Sequence, residues 1–139
     1  MAITVQENGR LFTINTRNTT YQMKADRYGV LLHLYYGRRT EGSMEYLLTY
    51  ADRGYACNIY DAGKDRTYSL DFLPQEFPTS GTGDMRSPAL ILEYGNGIDA
   101  CDFRFDHYTV RDGKYGLKGL PAVYAAEEEA QTLEIVMKD

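Results

Sequence analysis

Apolar and polar residues alternate along this chain in short runs, separated by turn-forming clusters about every ten residues. Ile3–Gln6 and Leu11–Thr16 flank Glu7-Asn8-Gly9-Arg10, and Asn-Gly between apolar runs predicts a hairpin because both residues tolerate positive φ. Thr20–Ala25 and Val30–Tyr36 flank a second turn, Asp26-Arg27-Tyr28-Gly29. Val30 to Tyr36 is nearly continuous apolar sequence, as expected of a strand covered on both faces. Gly37 to Asp65 has no clear period and only one apolar patch, Met44–Tyr50, so it predicts a long irregular excursion between sheets.

Strand patterns return in the second half. Ala89–Tyr94 and Ile98–Val110 flank Gly95-Asn96-Gly97 and predict another hairpin. Within the second run Cys101, Phe103, Phe105 and His107 alternate with Asp102, Arg104, Asp106 and Tyr108, giving one apolar and one charged face. Thr132–Met137 sets Leu133, Ile135 and Met137 against Thr132 and Glu134. Ala125–Ala130 alone reads as helical, and it is too short to hold by itself. The whole predicts an all-β protein, an antiparallel β-sandwich with very little helix, over residues 1–139 as a single domain.

A chain of 139 residues is large enough to bury roughly two-thirds of its unfolded surface. A formal charge of −5 argues against nucleic acid or an anionic membrane as partner. No run approaches the ~20 apolar residues of a membrane span, and Met1–Glu7 lacks the pattern of a signal peptide. Cytoplasmic localisation is therefore the expectation. The closing Glu134–Asp139 reads as a strand followed by charge, as at a domain boundary. Cys57 and Cys101 have no metal-ligand spacing and are too few for a disulfide scaffold. Thirteen Tyr, five Phe and no Trp suit strands with half-wet faces.

Neither a metal site nor a cofactor motif is expected. His33 and His107 lie in separate predicted strands and read as strand histidines with satisfied hydrogen bonds. Gly81-Thr82-Gly83 lacks the preceding strand and following helix of a phosphate loop. Carboxylates are abundant in the irregular stretches: Asp52, Asp65, Asp71, Glu76 and Asp84. Turn-forming or solvated acids are the plain reading. Asp52-Arg53, Asp65-Arg66 and Asp84-Met85-Arg86 nevertheless place an acid beside a guanidinium three times. Planar donors beside ionised acceptors can grip vicinal sugar hydroxyls, and they can equally form ion pairs that pin loops. Residue chemistry leaves both readings open.

The densest pattern is Ser69-Leu70-Asp71-Phe72-Leu73-Pro74-Gln75-Glu76-Phe77-Pro78, followed by Gly81-Thr82-Gly83-Asp84-Met85-Arg86-Ser87-Pro88-Ala89. These segments resemble the amino-terminal domain of the family 36 α-galactosidases, with Phe77 and Met85 as conservative departures. Leu32-His33-Leu34-Tyr35-Tyr36-Gly37, Gly119-Leu120-Pro121-Ala122-Val123-Tyr124 and Thr132-Leu133-Glu134-Ile135-Val136 resemble further motifs of that family in the same order. The resemblance implies a large β-sandwich of galactose-mutarotase-like shape (a supersandwich), whose catalytic (β/α)8 barrel would follow residue 139. It implies a parent enzyme that removes terminal α-linked galactose from melibiose- or raffinose-type sugars with retention, and a chain that holds no catalytic residue of its own. It further implies a homo-oligomer, tetrameric in the family, in which this domain lends loop residues to a neighbour's sugar pocket. By that resemblance Asp52 and Arg66 contact substrate, while Arg53, Asp65, Glu76, Asp84 and Arg86 support the loop or the domain interface. Two other readings stand beside it: an independent carbohydrate-binding module, and a small mutarotase-like enzyme using Glu76 and a partner Asp, with His107 as the candidate acid.

Overall fold

A computed structural model describes residues 2–54, 58–121, 125 and 129–139. Cys57, residues 122–124 of the Gly119–Tyr124 motif and most of the helical expectation at Ala125–Ala130 fall outside those residues. The described strands are β1 (Ala2–Gln6), β2 (Leu11–Asn15), β3 (Thr19–Ala25), β4 (Leu31–Arg38), β5 (Arg104–Asp112) and β6 (Gln131–Lys138). Strands β1 to β4 form one antiparallel meander in sequence order, and β5 pairs with β6 in a second, two-stranded sheet. The first turn reads as predicted, with Glu7, Asn8 and Gly9 all at positive φ (52°, 54° and 84°) and Arg10 N–H donating to Gln6 O at 3.1 Å.

The two sheets face one another across a core. Phe12, Met23, Ala25 and Leu31 are buried there, against Phe105, Tyr108, Leu133, Ile135 and Met137 of the second sheet. Phe12 has no exposed surface, and its ring meets Tyr108 edge-on with centroids 5.3 Å apart. Full burial of a side chain of this size contributes about 2–3 kcal/mol. This is the sandwich that alternation predicts.

The excursion and the segment that follows it cover the outer face of the same sheet. Ile59, Ala62, Tyr68, Leu70 and Leu73 pack over Val30 and Leu32. Strand β4 thus places Leu31 in one core and Leu32 in the other, which accounts for its unbroken apolar sequence. Two 3-10 turns, Glu45–Leu47 and Tyr60–Ala62, are the helical elements that interrupt the excursion.

Two expectations are corrected. The Gly95-Asn96-Gly97 turn forms, with Gly97 N–H donating to Tyr94 O at 2.8 Å and Tyr94 N–H to Ile98 O at 2.9 Å, but no ladder flanks it. Ile91 and Ile98 are 70% and 51% exposed, so no burial rewards pairing there, and the strand begins only at Arg104. The alternation in β5 also breaks. A bulge between Phe105 and His107 leaves Asp106 unopposed, so Tyr108 rather than His107 joins Phe105 at the core. His107 is left outside, with Nδ1 2.6 Å from Asp106 Oδ2.

Candidate functional site

Asp52 of the excursion meets Arg66, just past its end, at the protein surface. Arg66 Nε donates to Asp52 Oδ2 at 2.9 Å, and Nη2 donates to Asp52 Oδ1 at 3.3 Å and to Gly54 O at 2.7 Å. Asp52 Oδ1 also accepts Gly54 N–H at 2.8 Å, a local turn that aims the carboxylate. The chain around Arg66 is fixed from both sides. Asp65 accepts from Thr67 N–H at 3.0 Å and Thr67 Oγ1 at 2.6 Å, and two residues on, the buried Tyr68 donates to Asp26.

The hydrogen bond from Arg66, with that of Gly54 N–H, holds the Asp52 carboxyl below the usual carboxylate range. The same bond to Asp52 raises Arg66, and hydrogen bonds from Thr67 lower Asp65. Near neutrality the pair is a fixed anion beside a fixed cation, both substantially exposed. The carboxylate keeps unused lone pairs and the guanidinium unused N–H groups, the complement a vicinal diol requires.

Acids and arginines adjacent in sequence do not all pair with one another. Arg66 binds Asp52 across 14 residues, Arg53 lies over the Phe72 ring at 4.8 Å, and Asp65 faces Arg27 at 3.4 Å. Asp84 and Arg86 do bind each other, in a different place. Arg86 donates through Nε to Asp84 Oδ1 at 2.8 Å, and through Nη2 to Leu70 O and Leu73 O at 2.6 and 2.7 Å. Gln75 adds a bond to Asp84 Oδ2 at 2.7 Å, and the Asp84 side chain is 1% exposed. This cluster ties the turn through Leu70–Leu73 to the following loop.

Glu76 serves another junction. Its N–H donates to Leu31 O at 2.8 Å, and its carboxylate accepts from Tyr21 and lies 3.0 Å from His33 Nδ1. Glu76 and His107 therefore have separate partners, which gives a mutarotase-like pair no support.

Sequence patterns missed one feature beside Arg66. Lys24, Asp26, Arg27, Tyr50, Asp65, Thr67 and Tyr68 line a depression of about 490 Å³. Its members come from β3, the next turn and the excursion, so no single motif carries it. No cluster of metal ligands occurs among the described residues, and no described helix is long and apolar enough to cross a membrane.

The glycosyl hydrolase family 36 N-terminal domain model matches residues 29–139. The chain is 58% identical over 139 residues to the bifunctional alpha-galactosidase/sucrose kinase AgaSK of Mediterraneibacter gnavus, covering 100% of this chain and 15% of that protein. It is 36% identical over 143 residues to alpha-galactosidase AgaA of Geobacillus stearothermophilus, covering 100% of this chain and 19% of that protein. The solved galactosidase domain of AgaSK matches with a TM-score of 0.93 at 57% identity, over 99% of this chain and 19% of that one. Crystalline AgaA A355E D548N in complex with raffinose matches with a TM-score of 0.84 at 36% identity, over 94% and 18% of the two chains. The chain thus spans less than a fifth of the length of these relatives.

Proposed function

Because this chain belongs to the glycosyl hydrolase family 36 N-terminal domain family, we propose that it is the non-catalytic sandwich domain of a retaining, cytoplasmic α-galactosidase. In this reading the domain assembles a homo-oligomer and lends Asp52 and Arg66 to the sugar pocket of a neighbouring subunit. The catalytic aspartates belong to a barrel beyond residue 139, and the substrates are melibiose- and raffinose-type galactosides.

One observation carries the reading. The pair is exposed, yet it is held in a fixed geometry by Gly54 and by backbone anchored in a core. An exposed ion pair of this kind contributes little to stability, whereas a preset donor–acceptor pair suits hydroxyl recognition. Arg53 and Asp65 support the loops that present it, and Glu76, Asp84 and Arg86 support other loops or the domain interface.

The test is Asp52→Asn and Arg66→Gln in the complete enzyme, with raffinose as substrate. We expect kcat/KM to fall about tenfold or more at unchanged thermal midpoint. Wild-type kinetics in both variants would contradict the pocket role. The depression beside Tyr50 favours a second reading, an independent carbohydrate-binding module. Saturable galactose binding by the isolated chain would support that alternative.

A further inference from the structure

Part of the basic charge of this acidic chain is matched by nearby acids. Lys24, Arg27, Arg66, Arg86, Arg104, Arg111 and Lys138, seven of the fifteen Lys and Arg residues, each lie within ion-pair distance of a carboxylate. Arg17 and Arg38 have no such partner among the described residues. They are also brought together with a third arginine. The β3–β4 register sets Thr19 opposite Arg38, which places the β2–β3 turn beside the end of β4. Arg17, Asn18, Arg38, Arg39, Thr40 and Glu41 line the resulting notch of about 560 Å³.

The frame of the notch is rigid. Thr16 Oγ1 accepts Asn18 N–H at 3.3 Å and Thr19 N–H at 3.0 Å, which sets the turn that carries Arg17. Arg39 N–H donates to Asn18 O at 2.8 Å, and its Nη1 donates to Thr16 O at 2.9 Å, leaving the rest of the fork available. Three guanidinium groups against one carboxylate give the lining a net of two positive charges. Like charges gathered without counter-charges repel, and a concave fork of planar donors is the geometry that binds an oxyanion bidentately.

We propose that this notch, at the opposite end of β4 from the turn that precedes it, binds a small dianionic oxyanion: inorganic phosphate or the phosphate of a monoester. A neutral sugar would leave the charge uncompensated. The volume lies within the range of small-ligand sites, and Glu41 in the lining disfavours a long polyanion. The site is independent of Asp52 and Arg66.

The test is calorimetric titration of the full-length protein at ~150 mM NaCl, with inorganic phosphate in one arm and glycerol 3-phosphate in the other. We expect saturable binding that sulfate displaces. Arg17→Gln combined with Arg38→Gln should weaken it by at least about tenfold, while Arg53→Gln leaves it unchanged. A preference for the ester assigns a phosphorylated small molecule, and equal affinity assigns the free ion; both support the site. Absence of saturation in both arms, wild-type affinity in the double variant, or tighter binding of a poly-glutamate peptide would overturn it. Both substituted arginines are exposed, so an unchanged thermal midpoint confirms that the variant is folded.

Discussion

Arg66 reaches back 14 residues to hold Asp52 with two donors, Nε at 2.9 Å and Nη2 at 3.3 Å. Neither residue binds its sequence neighbour of opposite charge in this way. The loop that carries one and the segment that carries the other are therefore closed into a single presented group, whose proposed role is recognition rather than stability.

That division is testable by stability alone. Asp52→Asn should change the unfolding free energy by less than about 0.5 kcal/mol, because the pair is exposed and screened. A denaturant titration showing a loss of several times that amount would return the pair to a structural role.

Asp84 behaves in the opposite sense. Burial alone would push its carboxyl up, but the hydrogen bonds from Arg86, with that of Gln75, outweigh it and hold the group below the usual range. Its folded value is depressed, so its stabilisation is present above the unfolded value of about 3.9 and is lost as pH falls through the folded value. We expect Asp84→Asn to cost about 2 kcal/mol at pH 7 and to flatten the acid limb of stability against pH. Chemical denaturation at a series of pH values checks both; an acid limb identical to wild type would show that Asp84 is not responsible for it.

Tyr68 makes an alkaline prediction. Burial, followed by its hydrogen bond to Asp26, raises its pKa well above the ordinary value. A raised folded value means stability that is complete below the unfolded value of about 10 and declines as pH rises beyond it. Tyr68→Phe should cost about 2 kcal/mol near neutrality and soften the alkaline decline. Thermal midpoints measured on either side of that pH read the difference, and parallel curves for variant and wild type would exclude Tyr68 as its source.

Gly81 should tolerate no side chain. Its φ is +88°, and an added Cβ would stand 2.4 Å from Ala100 Cβ and 2.9 Å from Ala100 Cα. Strain and overlap together should make Gly81→Ala destabilising by about 2–3 kcal/mol. A melting curve unchanged from wild type would mean that Ser80 and Cys101, joined by a 3.0 Å backbone bond, separate easily.

Much of this architecture was legible in the chain. Asn8-Gly9 marks a turn because both residues occupy positive φ, and Leu31-Leu32 reads as doubly covered because each faces a different core. What was not legible depends on contacts distant in sequence. The bulge at Asp106 is set by pairing with β6, and it reverses which of His107 and Tyr108 turns inward. The run from Ala89 to Tyr94 has strand composition but only an isolated bridge from Leu90 to Thr79 in place of a ladder, so it stays irregular. At the site, Asp52 and Arg66 came from a family resemblance, whereas their pairing needed the fold. Adjacent charges suggest Asp52 with Arg53 and Asp65 with Arg66, whereas the geometry joins Asp52 to Arg66, sets Arg53 on the Phe72 ring and turns Asp65 to Arg27. The arginine notch was invisible because Arg17 and Arg38 meet only through strand register.

The most direct measurement is a crystal structure of the complete enzyme with raffinose in an inactivated active site. Asp52 and Arg66 of one subunit should lie within about 3 Å of hydroxyls on a sugar bound by the neighbouring subunit. A sugar pocket closed entirely by one subunit, with the pair facing solvent, would contradict it.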